Sequence, residues 1–66
     1  MAVPTRGETY VQLIEHLRLA QEGCATLAHL DRANGDVALA NGWLTLSELF
    51  KRAQHNVIEL AKGRMQ

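Results

Sequence analysis

Residues 31–48 read DRANGDVALANGWLTLSE and hold two rival turn signals. The first, Asn34-Gly35-Asp36, joins two residues that tolerate left-handed backbone to an acid able to cap a following helix. The second, Asn41-Gly42, stands just before Thr45-Leu46-Ser47-Glu48, which has the spacing of a capping box. If only the first signal is used, the chain is two long helices. If both are used, the second half breaks near residues 41–44. The apolar pattern discriminates. Leu39, Trp43, Leu46, Phe50, Ala53, Val57 and Leu60 alternate steps of four and three, and the alternation passes Gly42 without a change of phase. A broken helix has no reason to keep phase.

The half before the turn has the same form. Pro4 disfavours helix at Val3, and Thr5-Arg6-Gly7-Glu8 is a capping box with Thr5 as N-cap and Glu8 reaching back. Tyr10, Leu13, Leu17, Ala20, Cys24, Leu27 and Asp31 then make a heptad seam. The expectation is one helical-hairpin domain over 1–66: helix 1 over about 6–33, a turn at 34–36, and helix 2 over about 37–62, with Gly63 as its stop. No run of period-two alternation predicts a strand. The fold class is all-α, an antiparallel two-helix hairpin.

Folding at Gly35 sets residue n opposite residue 70 − n. Tyr10 then faces Leu60, Leu13 faces Val57, Leu17 faces Ala53, Ala20 faces Phe50, Cys24 faces Leu46 and Leu27 faces Trp43. Large residues meet small ones in two of these pairs, as interdigitation requires. Asp31 falls opposite Leu39 at the turn end. These seam residues are the predicted hairpin core.

A second apolar set flanks the seam. Val37, Ala40, Leu44, Ser47, Ile58 and Ala61 lie beside it on helix 2, and Val11, Ile14 and Ala28 beside it on helix 1. On helix 2, seam and flank together span an arc of about 160°, against the roughly 100° that one packing partner needs. The flank is therefore the predicted oligomer interface. Size points the same way: 66 residues form a core too small to hold much stability alone, and Cys24 is the only cysteine, so no internal disulfide is possible. A homodimeric four-helix bundle, two-fold symmetric, is the expected assembly. This architecture resembles the small homodimeric hairpin bundles that include an RNA-binding plasmid copy-number regulator. The resemblance is of fold alone and carries no function.

Little in the chain resembles chemistry. Seven acids balance seven bases, which argues against a general nucleic-acid binder. Lys51, Arg52, Lys62 and Arg64 are the best basic group, and Lys51, Arg52 and Lys62 support an RNA- or DNA-binding dimer as an alternative. Glu48–Arg52 and Glu59–Lys62 have helix-pair spacing, which accounts for part of that group. His16 or His55 supports a second alternative, a bundle holding a metal or ligand, with His55 near Glu15 and Glu59 in the hairpin register. No seam position is Glu or His, as a di-metal bundle would require. Ser47, Thr45 and Thr26 have no positioned base. Cys24, mid-seam, reads as a small packing residue. The expectation is a non-enzymatic module without metal or cofactor, whose partner is itself, with a further protein partner possible. No apolar run approaches the ~20 residues of a membrane span, and no signal-peptide pattern opens the chain, so a cytoplasmic protein is expected.

Overall fold

A computed structural model describes residues 3–65 of the chain. It is an antiparallel hairpin of two helices, α1 (Arg6–Ala33) and α2 (Val37–Met65), with no strand among the described residues.

Each helix end has a local cause. Thr5 is extended, and its hydroxyl accepts from the Glu8 N–H at 3.1 Å. The Glu8 carboxylate makes no return bond, so half of the capping box is formed. The turn does three jobs in three residues. Gly35 takes φ +86, the left-handed value that other residues resist. The Gly35 N–H then reaches the Arg32 carbonyl at 3.0 Å and the Asp36 N–H reaches the Asp31 carbonyl at 2.9 Å. This pair of bonds is a Schellman closure of α1. Asp36 opens α2 in the same place, its Oδ1 accepting from the Leu39 N–H at 3.1 Å.

The rival turn is not used. α2 runs through Asn41 and Gly42, and the Thr45 hydroxyl donates back to the Asn41 carbonyl at 3.0 Å instead of capping a new helix. α2 also continues past the expected stop at Gly63 to Met65. Gly63 keeps helical φ. A glycine permits a helix to end but does not compel it, and staying helical costs only about 1 kcal/mol relative to alanine.

The Cα atoms span 47 × 28 × 10 Å, a slab one helix layer thick. Such a layer has almost no interior. Among the described residues only Cys24, Ala28, Ala40, Ala61 and Ser47 are buried, and all five are small.

The two kinds of glycine should respond oppositely to alanine. Gly35→Ala is expected to destabilise the hairpin by about 1–2 kcal/mol, the cost of a Cβ in left-handed backbone. Gly42 is helical and nothing lies within 4 Å of a Cβ added there, so Gly42→Ala should stabilise by about 0.5–1 kcal/mol. Thermal unfolding of both variants checks the contrast. A loss at Gly42 would mean that the helix bends there.

Candidate protein-interaction face

The helices meet along small residues. On α1 the more enclosed positions are Tyr10, Ile14, Leu17, Gln21, Cys24, Ala28 and Asp31. On α2 they are Ala40, Trp43, Ser47, Phe50, Gln54, Val57 and Ala61, with Ala20, Ala53 and Ile58 half-buried beside these two rows. Both rows keep the heptad alternation, but half of each predicted seam has moved by one residue. Ile14, Gln21 and Ala28 stand in for Leu13, Ala20 and Leu27. Ala40, Ser47, Gln54 and Ala61 stand in for Leu39, Leu46, Ala53 and Leu60. At 100° per residue, each helix is turned by about 50° from the predicted contact.

Two polar bonds fix this geometry. The Ser47 hydroxyl donates across the hairpin to the Gln21 carbonyl at 3.3 Å, which satisfies the one buried polar side chain. The Trp43 Nε1–H donates to Asp31 Oδ2 at 2.8 Å, tying the helices together near the turn. These bonds pair Gln21 with Ser47 and Asp31 with Trp43, and so bracket the 70 − n register from either side. The Asp31–Trp43 bond replaces the expected apposition of Asp31 with Leu39. A half-buried indole needs an acceptor, and Asp31 is the only acid in the α1 seam.

The predicted core therefore needs correction. Leu13, Leu27, Leu39, Leu46 and Leu60 are exposed, Leu60 by 67%. Rows of leucine on both helices would hold the axes apart, whereas Ala28, Ala40, Ser47 and Ala61 let the backbones approach. The predicted oligomer flank needs the converse correction. Ala28, Ala40, Ser47 and Ala61 are buried inside the hairpin, Ala40 completely, and are closed to a second chain. Ile14 and Ile58 are half-buried. Val11, Val37 and Leu44 are exposed.

The displaced leucines share one side of the slab. Leu13 of α1 and Leu60 of α2 line the same open groove with Arg6, Tyr10, Val57, Glu59 and Gly63. Continued by heptads, the Tyr10, Leu13, Val57 and Leu60 rows hold no charged residue from Tyr10 to Leu27 or from Leu39 to Leu60. On the other side Ala25, Ala28, His29, Arg32 and Leu44 line a separate depression. That side is mixed, because Arg18, Arg32 and Lys51 fall in its rows among the apolar residues.

The candidate chemical groups stay apart. His16, His29 and His55 are exposed. Among the described residues no group of three or more His, Cys, Asp or Glu could hold a metal ion, so His55, Glu15 and Glu59 do not assemble. Glu15 is held by Arg18, which also reaches Glu22 at 2.7 Å. The hydrogen bond from Arg18 lowers the Glu15 pKa from its ordinary value, and Glu15 in turn raises that of Arg18. The sign follows: this exposed pair adds its small stability above the ordinary carboxylate range and loses it as pH falls through the lowered Glu15 pKa. Glu59 lies 3.7 Å from Lys62. Glu48 and Arg52 form no ion pair, and with Lys51 and His55 they border a shallow open patch of α2. Cys24 is buried and unpaired by disulfide. Among the described residues no helix is long and apolar enough to cross a membrane.

Comparison with protein-family models, with curated proteins and with solved structures finds no match for this chain.

Ala40→Leu tests the seam. It should destabilise the hairpin by about 1–3 kcal/mol through overpacking, measured by urea unfolding. An unchanged midpoint would place the helix contact elsewhere.

Proposed function

We propose that this chain is a non-enzymatic interaction module that works as a homo-oligomer, joining copies through its leucine face. One observation carries the reading: every buried residue among those described is small, while the seam and leucine rows carry no charge between Tyr10 and Leu27 or between Leu39 and Leu60. Stable domains pack two layers of secondary structure around a core, and this chain supplies one layer. Monomers rarely leave a continuous apolar patch of this extent to water. The broad side of the slab, 47 by 28 Å across its Cα atoms, has room for the roughly 800 Å² per partner of a standard interface. The reading keeps the dimeric bundle expected from sequence but moves its interface to the opposite set of residues. A buried, unpaired thiol suits a reducing compartment such as the cytoplasm. A distinct protein partner presenting an amphipathic helix could use the same face, and the balanced charge weighs against nucleic acid.

Sedimentation velocity at micromolar concentration tests it. The chain should run at twice its 7.3 kDa mass or more. Leu46→Lys, on the leucine face, should shift it toward monomer and lower its helicity. Val11→Lys, on the other side, should change neither. A stable, folded wild-type monomer overturns the reading.

A further inference from the structure

The leucine face carries opposite charge at its two ends, and this orients a second copy on it. In the seam rows and the leucine rows beside them, the charged residues between Val3 and Gly63 are Arg6 at the open end and Asp31 and Asp36 at the turn. Arg6 donates from Nε to the Tyr10 hydroxyl at 3.3 Å and lies 5.7 Å from that ring's centroid. It has no carboxylate partner among the described residues. Asp31 accepts from Trp43 and Asp36 from the Leu39 N–H, and neither meets a cation among those residues. Nearby charges of the wrong sign are taken up or turned away. Glu59, on the groove rim, is beside Lys62, and Arg32 lies on the opposite side of the slab.

We infer that a second copy packs its leucine face on the first with the two turns at opposite ends, so that each Arg6 stands over the partner's Asp31 and the partner's Asp36. This rests on the homo-oligomer reading above. Two kinds of two-fold axis bring the same face together. An axis along the helices puts both turns at one end, where it gathers all four of these acids and sets one Arg6 beside another. An axis across the helices matches each basic end to an acidic one. Charge at the rim of an apolar interface selects orientation more than strength. The crosswise axis also spreads bulk. The Leu27–Trp43 end of one face meets the Leu13–Val57 end of the other, so the two indoles do not compete for one layer.

Double electron–electron resonance on a nitroxide attached at Asn34→Cys, in a Cys24→Ala background, measures the separation of the turns. Ala33→Cys, also exposed, provides a second label site. With turns opposed, the distance should approach the 47 Å length of the hairpin. A dimer whose labels lie well under half that far apart overturns the orientation and leaves the homo-oligomer standing. A monomer by sedimentation, without dipolar coupling, overturns the parent reading and this inference with it.

Discussion

The close approach of α1 and α2 along Cys24, Ala28, Ala40, Ser47 and Ala61 governs the rest of the molecule. Small side chains bring two backbones together but bury little apolar area, so this contact defines the hairpin without supplying a core. Burial of large side chains is worth roughly 1.5–3 kcal/mol each, and here no leucine, isoleucine, valine or aromatic residue is buried among the described residues. The material for a core exists, in the leucine rows and in half-buried Tyr10, Trp43, Phe50 and Val57. It is arranged along one face of a slab. The same small-residue contact that closes the hairpin thus creates the surface offered to a second layer.

Two polar links keep that contact from sliding. The small residues at its closest points, Ala28, Ala40 and Ala61, have few features to hold one axial register over another. The Ser47–Gln21 bond spans its middle and the Trp43–Asp31 bond its turn end. Both use side chains whose polar atoms would be costly to leave unpaired in a partly dry contact. The turn adds a third restraint, because Asp36 closes one helix and opens the next within a single residue. Register is therefore set by hydrogen bonding and turn geometry rather than by the leucines flanking the contact.

Charge follows the same division. Pairs on the helix surfaces, Arg18 with Glu15 and Glu22 and Lys62 with Glu59, are local in sequence and say little about partners. The ends of the leucine face differ, since Arg6 and the two turn aspartates lack opposite charge among the described residues. An apolar centre with a basic end and an acidic end is complementary to itself when reversed.

The sequence by itself determined the hairpin. Turn chemistry at Asn34-Gly35-Asp36 and an unbroken heptad phase through Gly42 are local signals, and they foretold both helices and the near 70 − n register. It also marked an apolar arc wider than one helix can cover. Which part of that arc meets the other helix was decided only in the tertiary structure. Hydrophobicity ranks Leu39, Leu46 and Leu60 above Ala40, Ser47 and Ala61, so periodicity alone assigns the leucines to the hairpin core. Helix separation inverts that order: two helices alone approach best along their smallest residues, and no scale of residue polarity contains that distance. The Trp43–Asp31 and Ser47–Gln21 bonds were equally invisible, because each joins residues far apart in the chain and depends on a rotation of about 50° that only packing sets.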